Sequence, residues 1–177
     1  MRRLWLVLLL CACSGSSDNE VDGSVLGYSL NARDALYLVH NGRQMVVISD
    51  QDNTCRKLVT QTLSGEIRLL ELYLWNAAST DPTALVEGTY EVADVTASLE
   101  SQAFFGVGPG CDPSARWFGA SGGQVILLHA GLTEPGERTQ VAFRIGFGDE
   151  VLAGHADAAY CEVPQTGTIP CVNEGGP

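Results

Sequence analysis

The chain has 177 residues, with 21 acidic residues against 10 lysines and arginines, and its formal net charge is −11. This length suits one ordinary domain with a hydrophobic core. The acidity argues against nucleic acid as a partner, because phosphate binding depends on lysine and arginine.

The first ten residues have the pattern of a secretion signal. Arg2 and Arg3 form a basic start, and the run 4–10 is entirely apolar. A membrane-spanning helix needs about 20 apolar residues, so this run is too short to span. A basic start, a short apolar run and small residues after it are typical of a signal peptide.

The end of this signal resembles the lipobox of bacterial lipoprotein precursors, in the residues Leu10-Cys11-Ala12-Cys13. The resemblance implies cleavage after Ala12, a diacylglyceryl group on the sulfur of Cys13, and a membrane partner reached through the acyl chains. Ser14 after Cys13, in place of aspartate, implies the outer membrane of a Gram-negative bacterium. The alternatives are an ordinary signal peptide with Cys13 in a disulfide, and a C-x-C metal pair.

These features divide the chain into four parts. We expect a signal peptide over 1–12, a lipidated flexible tether over 13–23, a β-domain over 24–171 and a disordered tail over 172–177. The tether is rich in serine, glycine and acidic residues, so it has almost nothing to bury. Loss of Arg2 and Arg3 leaves 21 acids against eight bases, a net charge of about −13.

The rest of the chain predicts β-strands. The clearest is 139–147, where apolar and mixed residues alternate with a period of two. With 123–131 before it and 151–161 after it, it forms a predicted antiparallel meander. The other predicted strands are 24–31, 34–41, 43–49, 66–75, 87–95 and 99–107.

A short helix is predicted at 54–61, with Asp52, Asn53 or Thr54 as its cap. About eight strands at short spacing then indicate an all-β fold, an antiparallel sandwich or a partly open barrel with one short helix. Residues 41–42 are Asn-Gly, the strongest short hairpin signal, between two of these strands.

The order of features also resembles that of uncharacterised all-β lipoproteins from predatory or soil-dwelling bacteria. The shared features are 27–30 (Gly-Tyr-Ser-Leu), Cys55, 88–90 (Gly-Thr-Tyr) and 152–161, a last strand from Leu-Ala-Gly to Cys161. The resemblance covers most of the mature chain and implies no particular activity.

Four cysteines remain once Cys11 leaves with the signal and Cys13 is lipidated. An even number in an exported chain predicts two disulfides, with three connectivities open. We favour Cys161–Cys171, because the stretch between them holds two prolines and a turn-prone Thr-Gly, which leaves Cys55–Cys111. A four-cysteine zinc site is the alternative, although no C-x-x-C spacing supports it.

Three groups of residues are candidates for chemistry. His155 and Asp157 share one face of a strand and could form a His–Asp dyad or two metal ligands. Ser121 is a possible nucleophile for the dyad, although no G-x-S-x-G motif is present. The stretch 50–53, Asp-Gln-Asp-Asn, resembles the start of a calcium loop but lacks the glycine and glutamate of an EF-hand. Aromatic side chains could stack on sugar rings; they are Trp75, Phe104, Phe105, Trp117 and Phe118.

The sequence therefore favours a lipid-anchored cell-envelope protein whose β-domain is non-catalytic and serves in binding or structure, with no cofactor and no metal. The alternatives are a calcium- or carbohydrate-binding adhesion module, and a secreted hydrolase that uses His155 and Asp157.

Overall fold

The computed structural model describes residues 19–40, 42–79, 81, 85–110 and 115–164. Within them it contains ten strands and one helix. In chain order these are β1 (Glu20–Gly23), β2 (Asp34–His40), β3 (Arg43–Ser49), α1 (Thr54–Val59), β4 (Glu66–Asn76), β5 (Gly88–Val92), β6 (Leu99–Pro109), β7 (Arg116–Gly119), β8 (Gly122–His129), β9 (Arg138–Phe147) and β10 (Glu150–Tyr160).

Eight of the strands close into a barrel in the order β10-β2-β3-β4-β6-β5-β8-β9, and β9 pairs back onto β10. The prediction of an all-β fold with one short helix is confirmed. The predicted hairpin between β2 and β3 is confirmed as well, as is the meander β8-β9-β10. The barrel is closed rather than partly open.

The closed barrel is built from two antiparallel sheets of four strands. One contains β2, β3, β4 and β6, and the other contains β5, β8, β9 and β10. Two parallel contacts of two residue pairs each join them. We call these the β2–β10 junction, between 36–37 and 159–160, and the β5–β6 junction, between 91–92 and 100–101. The fold thus combines the two architectures that the sequence left open.

The inward-facing side chains of all eight strands pack into one hydrophobic cluster. Alternate residues of a strand point to opposite faces, so β9 buries Val141, Phe143 and Ile145 while Gln140 and Arg144 are exposed. An eight-stranded barrel has an interior just wide enough for side chains or for one small ligand. Here large side chains such as Tyr37, Tyr90 and Phe105 occupy it.

A second hydrophobic cluster covers the outside of β2, β3 and β4. Leu58 of α1, Leu63 after it and Val163 beyond β10 pack against outward side chains of these strands. This cover explains why β2 and β3 are buried on both faces and read as continuous apolar runs.

The disulfide of this outer cluster joins Cys55 of α1 to Cys161, with the two Cα atoms 5.6 Å apart. The predicted pairings Cys55–Cys111 and Cys161–Cys171 are therefore wrong. At the β2–β10 junction the backbone N–H of Cys161 donates to the carbonyl of Tyr37 at 2.7 Å, which brings Cys161 to the side of the barrel that α1 covers. Cys111 and Cys171 lie outside the described residues.

Helix α1 lies within the predicted 54–61 and is capped from a distant residue. Asn53 occupies the N-cap position with φ 56° and makes no side-chain cap. Instead the backbone N–H of Thr54 donates to the Asp34 carboxylate at 2.6 Å, and the Thr54 hydroxyl donates to the Gln51 carbonyl. The capping oxygen thus comes from the start of β2.

The prediction of a strand over 24–31 is wrong. This segment forms a turn that closes one end of the barrel. Val25 and Tyr28 exchange two backbone hydrogen bonds, and positive φ angles at Leu26 and Gly27 make the reversal. Glu150 accepts hydrogen bonds from the Ser24 hydroxyl and the Leu26 N–H. Val25 and Leu30, which follows five residues later, are buried in the barrel core.

The tether prediction for 13–23 is wrong over its last four residues. They form β1, which pairs antiparallel with 152–155 of β10. Strand β7, which was not predicted, similarly pairs with 104–107 of β6. Each short strand extends the sheet beside one of the two-residue junctions. In the part of the chain described here, no helix has the length and apolar character needed to cross a membrane.

Candidate functional site

The residues proposed for hydrolysis do not form a catalytic triad. His155 and Asp157 share the outer face of β10, as their spacing predicts. Asp157, however, is engaged by Arg138, whose Nε lies 2.7 Å from Oδ2 and whose Nη2 donates to the Asp157 carbonyl. The Asn19 side chain accepts a hydrogen bond from the Asp157 N–H. Asp157 therefore ties β9, β10 and the segment before β1 together.

Ser121 lies at the other end of β10 from this pair. Its hydroxyl donates to the Gly146 carbonyl and accepts from the Gly148 N–H. Gly146 pairs with Val151, four residues before His155 along β10, and four residues of a strand extend about 13 Å. The Ser121 hydroxyl thus stabilises a turn and is not activated by His155.

The stretch 50–53 is used to build the turn before α1. The Asp50 carboxylate accepts the Arg68 N–H at 3.1 Å, and the Asp52 carboxylate lies 3.6 Å from the Arg33 guanidinium. The Gln51 side chain accepts from Lys57. Asp50, Gln51 and Asp52 thus each contact a different partner. Nowhere in the described ranges do three His, Cys, Asp or Glu side chains gather so that they could hold a metal ion.

The candidate aromatic residues separate into two groups. Phe105 is fully buried and packs near Phe147, and Phe118 contacts the same barrel core. Trp75, Phe104 and Trp117 are half-buried on the outer face beside Tyr73. Phe104 meets the Tyr73 ring edge-on at 5.8 Å. Trp117 covers Gly106, where a Cβ atom would lie 2.6 Å from the indole ring. Packing accounts for most of these rings.

A row of polar side chains crosses the outer wall of five adjacent strands, β4-β6-β5-β8-β9. Its members are neighbours in register and all point outward; they are Trp75, Glu100, Glu91, Gln124 and Arg144. We call this set the polar row. With strands about 4.8 Å apart, it is about 19 Å long.

Hydrogen bonds fix the orientation of the polar row. The indole Nε1–H of Trp75 donates to Glu100 at 3.0 Å, and the Gln124 amide donates to Glu91 at 2.9 Å. Arg144 is exposed and has no ion-pair partner among the residues described. The row therefore offers carboxylate acceptors, an amide and a guanidinium to solvent.

A depression of about 460 Å³ lies along the β8–β9 end of the polar row. Gly122 and Gly146 face each other across β8 and β9 and leave this surface without side chains, and Gly123, Glu91 and Arg144 also line it. At Gly123 a Cβ atom would lie 2.3 Å from the Arg144 carbonyl oxygen, so no other residue fits there. We call this the glycine depression.

Of the polar row the sequence indicated only Trp75 as a candidate, and the glycine depression was not predicted. Each member occupies an outward position that strand alternation reveals, for instance Arg144 between Phe143 and Ile145. What the sequence does not reveal is that β5 lies between β6 and β8. This non-sequential order brings Glu91 between Glu100 and Gln124.

A separate cluster closes the end of the barrel where the 24–33 segment lies. The guanidinium carbons of Arg68 and Arg116 lie 5.8 and 5.3 Å from the centre of the Tyr28 ring. Arg68 also donates to the Ser29 carbonyl and to Glu66. Such cation–π contacts stabilise packing, so the cluster holds the turn on the barrel.

The fold and its outer wall define a closed eight-stranded β-barrel protein with one disulfide-linked helical cover and a polar surface row. No protein-family model, curated protein or solved structure matches the chain. The residues of the chain itself are therefore the basis for inferring its function.

Proposed function

We propose that the protein is a component of a bacterial cell envelope that is anchored by lipid on Cys13. We also propose that its barrel is a non-catalytic binding or structural domain. The observation that carries the proposal is the lipobox-like sequence 10–13 directly after a short signal-like run. The proposal includes attachment to the outer membrane through acyl chains.

The Cys55–Cys161 disulfide supports export, because stable disulfides form in oxidising compartments and are rare in the cytosol. The strong negative charge supports an acyl anchor rather than electrostatic attachment, since anionic headgroups repel such a chain. Two acyl chains suffice for stable anchoring where a single chain does not.

The short distance between Cys13 and the barrel supports a role close to the membrane. Only residues 14–19 separate the cysteine from β1. Even fully extended, they reach about 20 Å. A barrel held this close presents its wall to molecules at the membrane surface.

The non-catalytic part of the proposal is supported by the geometry around His155. Asp157 is paired with Arg138, and the Ser121 hydroxyl is bonded to backbone at the far end of β10. A nucleophile, a base and an orienting carboxylate must converge to form a triad, and these three residues do not.

Labelling with radioactive palmitate in a lipoprotein-processing host tests the anchor. We expect the wild type to incorporate label and to fractionate with membranes. Cys13→Ala should lose the label and leave the membrane fraction, because it removes the acylated sulfur. Cys11→Ala is the matched control and should keep both properties, since Cys11 is removed with the signal. An unlabelled wild type, or a labelled Cys13→Ala variant, would contradict the proposal.

A further inference from the structure

We infer that the polar row and the glycine depression bind a neutral glycan, with sugar rings lying along the outer wall from Trp75 to Arg144. This inference specifies a ligand for the proposed binding domain and rests on that part of the proposed function. It does not depend on the acyl anchor.

The chemistry of the polar row matches sugar hydroxyl groups. A hydroxyl both donates and accepts, so it needs both kinds of partner within reach. Glu91 and Glu100 supply acceptors, Arg144 supplies donors, and Gln124 supplies both. Trp75 ends the row with an aromatic ring, the surface that packs on the apolar face of a sugar.

The arrangement of charge in the row points to a ligand rather than to structural stability. Glu91 and Glu100 are direct neighbours across the β5–β6 junction, and like charges in this position destabilise a sheet. Each carboxylate instead has a polar partner, Gln124 for Glu91 and Trp75 for Glu100. These hydrogen bonds hold the acceptors in place before a ligand arrives, which lowers the entropy cost of binding.

The glycine depression provides the concave part of the site. It is shallow and open to solvent, so a sugar ring would lie on it rather than be enclosed by it. Ser121, Glu91 and Arg144 line it, so a sugar ring seated there lies beside hydrogen-bonding groups. A nucleic acid would be repelled by the two carboxylates, and an apolar partner would have to desolvate them.

The test is affinity electrophoresis of the purified full-length mature protein through gels that contain a neutral polysaccharide. The probes are dextran, mannan, xylan, galactan and β-glucan, each in a separate gel. We expect at least one of them to slow the protein in proportion to its concentration. If none of the five slows the wild type, the inference is wrong.

A space-filling variant locates the binding. In Gly146→Leu, the new Cβ atom would meet the Ser121 hydroxyl at 3.6 Å and the Gly122 carbonyl at 3.7 Å, which are ordinary contacts. The barrel should therefore fold, and the leucine should occupy the glycine depression. We expect binding to weaken about tenfold or more, the loss expected for excluding one sugar ring and its hydrogen bonds.

Ala142→Leu is the matched control, because Ala142 is half-buried on the same outer face of β9 but outside the depression. It should bind as tightly as the wild type. Thermal unfolding of both variants checks that they are folded. Equal binding by Gly146→Leu and the wild type would overturn the inference even if the protein binds a polysaccharide elsewhere.

A charge-matched pair tests the row itself. Arg144→Ala should weaken binding about tenfold, as expected for losing a charged hydrogen-bond donor. Arg33→Ala removes the same charge from an exposed ion pair with Asp52 and should leave binding unchanged. Equal effects of the two substitutions would contradict a specific site. Palmitate labelling is read out separately, so failure of glycan binding is distinguishable from failure of the anchor.

Discussion

Tyr37 illustrates how one buried side chain couples the barrel to pH. Its ring is in the core, its hydroxyl donates to the Gln44 side chain at 3.0 Å, and its ring centre lies 5.9 Å from that of Tyr160. Burial, with a smaller contribution from the Tyr160 charge, raises the pKa of Tyr37 to about 12. Burial also raises the pKa of Tyr90.

A pH prediction follows for Tyr37. The folded state holds this proton more tightly than the unfolded chain, whose tyrosine pKa is about 10. The stabilisation is thus fully present below about pH 10 and is lost as the pH rises towards about 12. A shift of two pKa units corresponds to about 2.7 kcal/mol at most. We expect the free energy of unfolding, measured with urea, to fall across this window.

The variant Tyr37→Phe separates this effect from other titrations. It should be less stable than the wild type near neutral pH by about 1–2 kcal/mol, because Gln44 loses a buried partner. Between about pH 10 and pH 12 its stability should fall less steeply than that of the wild type. Parallel curves for the two proteins would show that Tyr37 does not cause the decline.

At the scale of strands, the sequence predicted most elements because alternation is a local signal. Strand β9 lies within one residue of its predicted bounds, and β3 matches 43–49. The sequence predicts a strand over 24–31 because Val25 and Leu30 are apolar. Both are buried in a turn over the barrel end, which needs the same apolar residues as a strand. Strand β7 has only four residues, too few for a clear period.

The outer cover could not be predicted because it depends on contacts between distant parts of the chain. The sequence favours a disulfide loop across 161–171 because of its prolines and its Thr-Gly turn, which are local features. The actual partner of Cys161 is Cys55, 106 residues earlier. It becomes a neighbour only because β10 ends beside β2. The polar row was missed for the same reason, since it depends on the order of strands.

The disulfide has a large predicted effect on stability. It closes a loop of 106 residues, for which the chain-entropy model gives about 4–5 kcal/mol. We expect the double variant Cys55→Ala/Cys161→Ala to lose about 3–5 kcal/mol in urea unfolding, since it leaves no new free thiol at either position. Dithiothreitol should destabilise the wild type by a similar amount. A loss below about 1 kcal/mol would contradict this role.

Peptide mapping without reduction checks the connectivity in the same samples. A disulfide-linked pair of peptides that contain Cys55 and Cys161 is expected from the wild type. Finding Cys161 linked to Cys171 instead would restore the pairing favoured from the sequence.

At the scale of the whole molecule, the two parallel junctions are the narrow connections between the two four-stranded sheets. Each consists of two residue pairs, whereas β9 and β10 pair over ten. The β2–β10 junction is continuous with the disulfide, since Cys161 follows Tyr160 and bonds to the Tyr37 carbonyl. The β5–β6 junction has no such link among the described residues.

Hydrogen exchange measured by mass spectrometry tests this arrangement. Reduction of the Cys55–Cys161 disulfide removes the constraint at the β2–β10 junction only. Exchange should therefore become faster in peptides that cover 36–37 and 159–163. Peptides that cover 91–92 and 100–101, at the β5–β6 junction, are the internal control and should change little. Local opening precedes global unfolding where few contacts hold a region, so the effect should be visible well below the unfolding midpoint. Equally faster exchange at both junctions would mean that the barrel opens as one unit. The disulfide would then stabilise the whole barrel rather than the β2–β10 junction.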